Sequence, residues 1–155
     1  MSKPDFVYTL YINASRDAVW RGLVDPEFTR RYWLHDNVSD WEVGSRWEHT
    51  QVEPPEGAEL PWPVEPGKVD ITGEVVESDR PRRLVLTWVA PAHEGDPART
   101  SRVAFDLDPV DWAGGPWTRL TLAHTEMDDE MSASVSEGWP MVLSGMKTLV
   151  ERAND

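Results

Sequence analysis

The chain has 155 residues and a formal charge of −13, because 28 aspartates and glutamates outnumber 15 lysines and arginines. This balance argues against binding to nucleic-acid phosphates or to anionic membranes, since both require a basic surface. The absence of cysteine excludes disulfide bonds, thiolate catalysis and zinc–sulfur sites.

The length favours a single domain over residues 1–155, with enough chain to bury a sizeable core. No stretch approaches the ~20 apolar residues that a membrane span needs. The first ten residues lack the apolar core and the cleavage pattern of a signal peptide. We therefore expect a protein of the cytoplasm. Nine tryptophans are a heavy load for this length, and each adds a large apolar surface with one N–H donor.

The N-terminal region predicts a strand followed by two short helices. Residues 6–12 are rich in the aromatic and β-branched side chains typical of a strand. Ser15 has the chemistry of a helix N-cap. Asp25 caps a second short helix, which has Pro26 at its first position and ends near Trp33. Two helices placed together after one strand predict a crossover before the sheet resumes.

Six later segments predict strands, because apolar residues alternate within them and turn residues separate them. A tight hairpin is predicted at 43–46 and a turn at 108–116. Strands joined by short turns favour an antiparallel, meandering sheet. The predicted strands cover residues 38–43, 46–52, 68–78, 82–89, 100–107 and 117–127.

The segment 53–67 holds five prolines and four glutamates. Such a composition cannot form a central strand or the interior of a helix, so we predict an exposed loop. Loops of this length inside a domain are uncommon and are often functional. Trp62 is the residue there that would cover an opening, and an insertion without a role is the alternative.

The C-terminal segment 137–150 predicts a helix with one broad apolar face, which needs a sheet to pack against. Pro140 conflicts with a continuous helix, because it lacks a backbone donor and biases the preceding residue away from helix. Either the helix starts near Trp139 with the proline in its first turn, or it is kinked; we favour a kinked or two-part helix. The apolar stripe consists of Val135, Trp139, Val142, Leu143, Met146, Leu149 and Val150.

This order of elements resembles the SRPBCC (START/Bet v-like) superfamily. Within it, the chain is similar to the branch named after the activator of the ninety-kilodalton heat-shock protein ATPase, in its C-terminal domain. Ser45 stands where that branch usually has a second glycine. The resemblance is carried by Ile12–Trp20, Asp25-Pro26-Glu27, Trp33, Val43–Trp47, Gly73–Glu77, Pro81–Trp88, Thr118–His124, Gly138–Trp139, Leu143 and Leu149.

The resemblance implies an α+β, helix-grip fold. A curved antiparallel sheet of about seven strands would wrap around a long C-terminal helix, with two short helices after the first strand. It also implies an apolar cavity between sheet and helix, the usual form of a small-molecule site. Side chains that simply fill the core are the alternative. The residues expected to line the cavity are Trp47, His49, Trp88, Phe105, Leu122, His124, Trp139 and Met146.

The leading functional hypothesis is non-catalytic binding of a small hydrophobic or aromatic ligand, with no cofactor. A cyclase- or hydrolase-type enzyme is the second, because His49, His124 and Glu126 offer acid–base groups on predicted strand faces. A co-chaperone-like interaction protein is the third. The histidines show no metal-ligand spacing, so no metal is expected. A monomer and a homodimer, through the Trp62 loop or a sheet edge, both stay open.

Overall fold

The protein, as a computed structural model, is described over residues 5–153, and the predicted fold class is confirmed. Seven antiparallel strands curl into a half-barrel in the order β1-β7-β6-β5-β4-β3-β2. The strands are β1 (Phe6–Ile12), β2 (His35–Val38), β3 (Arg46–Gln51), β4 (Val69–Asp79), β5 (Arg83–Trp88), β6 (Ser101–Trp112) and β7 (Gly115–Thr125). The helices are α1 (Arg16–Val24), α2 (Pro26–Tyr32), α3 (Asp129–Val135) and α4 (Gly138–Ala153).

The two predicted N-caps are confirmed. Ser15 Oγ accepts a hydrogen bond from the Ala18 backbone at 3.2 Å, and the Asp25 carboxylate accepts one from Glu27 at 3.0 Å. Each bond satisfies a helical N–H that has no partner within its own helix. The caps therefore start α1 and α2 where the sequence places them, and both helices pack against α4.

The prediction of a strand over 38–43 is wrong, because the second strand is β2 and ends at Val38. After it, Ser39 Oγ accepts from the Trp41 backbone N–H at 3.0 Å, and Asp40 Oδ1 accepts from the Glu42 backbone N–H at 2.9 Å. Such local side-chain bonds draw the backbone into turns and out of a ladder. Trp41 itself has φ 62°. A longer connection over 39–45 thus replaces the tight hairpin expected at 43–46.

The hairpin of β6 and β7 is longer than predicted, with a two-residue turn at Ala113 and Gly114, both at positive φ. Positive φ at both central residues suits a tight hairpin. Pro109 lies inside β6, opposite Thr118. It is tolerated because the backbone of alternate β6 residues faces away from β7, as the bond from Leu107 N–H to the Arg82 carbonyl shows, and on that side β5 pairs with β6 only as far as Asp106.

The C-terminal helix is in two parts, but the break lies at residues 136–137, before Pro140, so its longer part starts near Trp139 as in the alternative that we did not favour. The Asp128 carboxylate accepts from the Met131 backbone at 2.8 Å and starts α3, which ends at Val135. The longer α4 has Pro140 in its first turn, where a helix needs no donor. Four stripe residues are buried in the core: Trp139, Leu143, Met146 and Val150.

The segment 53–67 contains no helix or strand, as predicted. Gln51 joins its two ends: its side-chain oxygen accepts from the Glu65 backbone and its carbonyl accepts from Gly67, both at 2.8 Å. Trp62 lies near the middle and is 45% exposed. Elsewhere, none of the helices formed by residues 5–153 is long and apolar enough to cross a bilayer.

Candidate functional site

A pocket of about 390 Å³ opens between the ends of β3, β4 and β5, the segment 90–99 and the short helix α3. Its lining combines apolar side chains with histidines and ion pairs. The lining residues are His35, His49, Asp70, Ile71, Trp88, Ala90, His93, Arg99, Asp128, Glu130, Met131, Ser134 and Val135.

The eight side chains expected to line a cavity are all buried, from 0 to 5% exposed. Only His49 and Trp88 reach the 390 Å³ pocket. Trp47 and Phe105 border, with Trp88, an interior void of only about 10 Å³. Large side chains therefore fill most of the space between sheet and α4, and the pocket lies at one end of it. The remaining four side chains, Leu122, His124, Trp139 and Met146, belong to the packed core, and a role for them in ligand binding remains a prediction.

Trp88 is the centre of the aromatic packing. Its ring centroid lies 5.3 Å from those of Trp47 and Trp139, and 5.5 Å from His124. Trp47 reaches across Gly73 to donate its indole N–H to the Thr87 carbonyl at 2.8 Å. A Cβ on that glycine would lie 2.0 Å from the same carbonyl, so no larger residue fits there.

His124 is held by hydrogen bonds on both ring nitrogens. The Trp139 indole N–H donates to Nδ1 at 3.0 Å, and Ser101 Oγ lies 2.7 Å from Nε2. An indole nitrogen can only donate, so Nδ1 carries no proton and the neutral ring carries its proton on Nε2. Ser101 in turn donates to the Trp88 carbonyl at 3.1 Å. This chain of bonds links α4 to β7, β6 and β5 and leaves His124 no free nitrogen.

Burial lowers the pKa of His124 to about 4, because a charged imidazolium loses its hydration there. The ring is therefore neutral at neutral pH. Glu126, the expected acid–base partner, lies beyond the end of β7 at φ 60°. It is exposed and lies 4.0 Å from Arg102, so the structure does not bring the two groups together.

A second histidine cluster borders the pocket and includes residues that the sequence did not point to. The rings of His35 and His49 stack with centroids 3.9 Å apart. His35 contacts the Trp33 carbonyl at 2.7 Å and the Asp70 carboxylate at 2.8 Å. Gln51 also donates to Asp70, at 3.0 and 3.1 Å. Each of these polar groups thus has a partner.

A bulge in β4 explains why Asp70 reaches the pocket. Successive residues of a regular strand point to opposite faces, yet Asp70 and Ile71 both line the pocket. The register between β3 and β4 shifts here, since His49 pairs with Ile71 and Thr50 with Val69. Asp70 is the extra residue of this bulge, so its side chain does not have to point to the sheet face opposite that of Ile71.

His49 differs from His124 in having one unpaired nitrogen. Asn37 donates its side-chain N–H to the Leu23 carbonyl at 3.0 Å, and its Oδ1 therefore faces His49 Nδ1 at 2.6 Å. An amide oxygen only accepts, so Nδ1 carries the proton. Burial, and then the nearby His35, hold the pKa of His49 well below its usual range. The neutral ring keeps a lone pair on Nε2, which has no partner among residues 5–153 and is not sealed from solvent.

The outer wall of the pocket is held by ion pairs. Arg99 contacts the carboxylates of Asp128 at 2.8 Å and Glu130 at 3.0 Å, which ties α3 to the segment before β6. Within the described part of the chain, no group of three or more histidine, aspartate or glutamate side chains is arranged to hold a metal ion.

The pairing of β2 with β3 brings His35 and Asn37 to the site, and this pairing was not predicted from the sequence. His35 and Asn37 alternate by two and lie opposite Gln51 and His49 on β3. A strand placed at 35–38 would have brought both beside His49.

Comparison with known proteins identifies the family of this chain. The sequence profile of the family described as "Activator of Hsp90 ATPase homolog 1-like protein" matches residues 13–151. The chain belongs to this family. The match confirms the resemblance to the SRPBCC superfamily and places the chain in its activator-like branch. No curated protein matches the sequence.

Solved structures share the fold of this family member. Protein MLL2253 from Mesorhizobium loti is 22% identical with a TM-score of 0.70, over 96% of this chain and 98% of that one. PFC0360w, an HSP90 activator from Plasmodium falciparum, is 18% identical with a TM-score of 0.67, over 94% and 95%. CalU16 from Micromonospora echinospora is 22% identical with a TM-score of 0.63, over 97% and 76%. Identities this low support the fold alone, since one fold hosts many functions.

Proposed function

We propose that this family member binds a small, mainly apolar molecule in the 390 Å³ pocket, without catalysis. The observation that carries the proposal is the composition of the lining. Ile71, Trp88, Met131 and Val135 supply apolar surface, and the free nitrogen of His49 supplies one polar group of fixed orientation. The charged side chains that also line the pocket already pair within the protein. A concave, mostly apolar site with few oriented polar groups is the usual form of a ligand pocket.

The arrangement favours binding over acid–base chemistry. His124 has both nitrogens engaged inside the core, and Glu126 is on the surface. His49 is a weak base because burial disfavours its charged form. The polar groups near the pocket therefore orient a molecule and offer little driving force for proton transfer.

A pocket-filling variant tests the proposal with the uncharged dye N-phenyl-1-naphthylamine. In Ala90→Trp the new indole replaces a small lining residue, so we expect the fluorescence gain on dye binding to be lost. Ala92→Trp adds the same side chain two residues away, at an exposed position outside the lining. It should bind the dye as the parent protein does. Equal binding by both variants, or no dye binding to the parent protein, would contradict the proposal.

A co-chaperone-type interaction is the second candidate, favoured by the family itself and by the fold shared with an HSP90 activator. Its test is the ATPase rate of Hsp90 with increasing amounts of the chain. Stimulation that persists in Ala90→Trp would assign the activity to the surface and separate it from the pocket. An unchanged ATPase rate would remove this candidate.

A further inference from the structure

We infer that the pocket selects an uncharged apolar molecule that donates a hydrogen bond to His49 Nε2, the class to which phenols and other cyclic alcohols belong. The inference rests on the proposed binding function and adds the chemical class of the ligand. Three features of the pocket support it, namely the direction of one lone pair, the pairing of the charges and the apolar wall.

The first feature is the fixed tautomer of His49. Asn37 accepts from Nδ1 and is itself held by its bond to the Leu23 carbonyl. The remaining nitrogen can only accept, and it has no partner within the described residues. A molecule that places an O–H or N–H there gains a bond, whereas one that places only an acceptor there is repelled.

The second feature is that the charged side chains of the lining are already paired. Arg99 binds Asp128 and Glu130, and Asp70 binds His35 and Gln51. The lining has three carboxylates and one arginine. A carboxylate or phosphate ligand would find no free arginine or lysine and would meet this negative excess. The pocket thus disfavours anions.

The third feature is the apolar wall that lines the pocket together with His49. Ile71 on β4 and Met131 and Val135 on α3 line one pocket with His49. The two α3 residues are four positions apart and so share one helix face. A flat ring in contact with this wall can direct one substituent at the imidazole.

Three naphthalene probes separate these features: 2-naphthol, 2-methoxynaphthalene and 2-naphthoate. They share a ring system and differ in donor capacity and charge. By calorimetry or fluorescence at neutral pH, we expect 2-naphthol to bind about tenfold more tightly than 2-methoxynaphthalene, as one additional buried hydrogen bond allows. The naphthoate should bind most weakly.

The decisive variant is His49→Leu, which should reduce the preference for 2-naphthol over its methyl ether to nearly one. His124→Asn is the matched variant, because it changes the other buried histidine, which lies outside the pocket lining. It should keep the preference. If His49→Leu does not fold, the imidazole ¹⁵N signals of the parent protein give the same answer: 2-naphthol should shift His49 Nε2 and leave His124 in place.

Each contrary result has a distinct meaning. Equal affinity for 2-naphthol and its methyl ether, tighter binding of the naphthoate, or a shift confined to His124 would overturn this inference and leave the binding function standing. Failure of all three probes to bind would overturn the proposed function together with the inference.

Discussion

His124 and His49 are both buried, at 0 and 4% exposure, yet one lies inside the packed core and the other borders the pocket. His124 uses one nitrogen to receive the Trp139 indole and the other to contact Ser101. His49 uses one nitrogen on Asn37 and leaves the other open. The two neutral rings carry their protons on opposite nitrogens. Burial alone therefore does not separate a fully bonded core histidine from one with an open nitrogen, whereas the partner of each nitrogen does.

The largest expected difference between the two regions is in stability. His124→Leu leaves the buried Trp139 N–H without an acceptor and changes packing in the core, so we expect a loss of about 4 kcal/mol. His49→Leu leaves only the Asn37 oxygen unpaired at the edge of a pocket and should cost about 1–2 kcal/mol. Urea unfolding at neutral pH measures both. A larger loss for His49→Leu would reverse the assignment of the structural role.

The second-largest effect is expected in the pH dependence of stability, because His124 is buried. Its pKa is about 4 in the folded protein and about 6.5 in the unfolded chain. Between these values only the unfolded chain takes up the proton, so stability falls as pH decreases from about 6.5 to 4 and this contribution then levels off. The loss is about 3 kcal/mol.

The variant His124→Asn isolates this effect from the titration of carboxylates. Asparagine keeps an acceptor for the Trp139 N–H but does not titrate. Its unfolding free energy should therefore fall less than that of the parent protein over the same pH range. Parallel curves for the two proteins would show that His124 is not the group responsible.

The tautomer of His49 should depend on Asn37. Asn37→Ala removes the oxygen that holds the proton on Nδ1, along with the bond to the Leu23 carbonyl, at a cost of about 1 kcal/mol. The ring then divides between its two neutral forms. We expect the His49 ¹⁵N signals to move toward intermediate positions and 2-naphthol affinity to fall several-fold. The signals of His124 serve as the internal control and should stay in place.

The smallest effect is expected at the outer wall of the pocket. Glu130 is 83% exposed in its ion pair with Arg99, so Glu130→Gln should cost less than about 0.5 kcal/mol. Asp128→Asn should cost more, about 1 kcal/mol, because Asp128 also caps α3. Thermal unfolding of the two variants measures which substitution costs more stability.

Hydrogen exchange should be faster in α3, which buries no residue fully, than in α4, which is anchored by Trp139.

Much of the fold follows from local patterns. The alternation of side chains predicted the bounds of β1, and the capping residues Ser15 and Asp25 predicted the starts of α1 and α2. Pro140 lies in the first turn of α4, where a helix tolerates proline. These features depend on neighbours within a few residues, and such neighbours are visible in the sequence. The connection over 39–45 escaped prediction because Ser39 and Asp40 bond to the backbone just beyond them.

The candidate site was harder to predict from the sequence, because it depends on the register in which strands pair with one another. His49 and Trp88 were expected at a cavity and do line the pocket. His35 and Asp70 reach it only through the pairing of β2 with β3 and through a bulge in β4. How far tryptophans fill an interior depends on how their rings tilt against one another, and the sequence does not specify that geometry.

The closed base of the loop 53–67 makes it a natural attachment point for a reporter. Gln51 fastens the loop ends on one side while its amide contacts Asp70 at the pocket on the other. Because closure entropy rises slowly with length, by about 0.6 kcal/mol for each doubling, the exposed segment around Trp62 can accept inserted sequence at little cost. A fluorophore grafted there would sit beside the pocket, because Trp62 lies near His35 and Asp70, and it would turn occupancy of the proposed binding site into an optical signal.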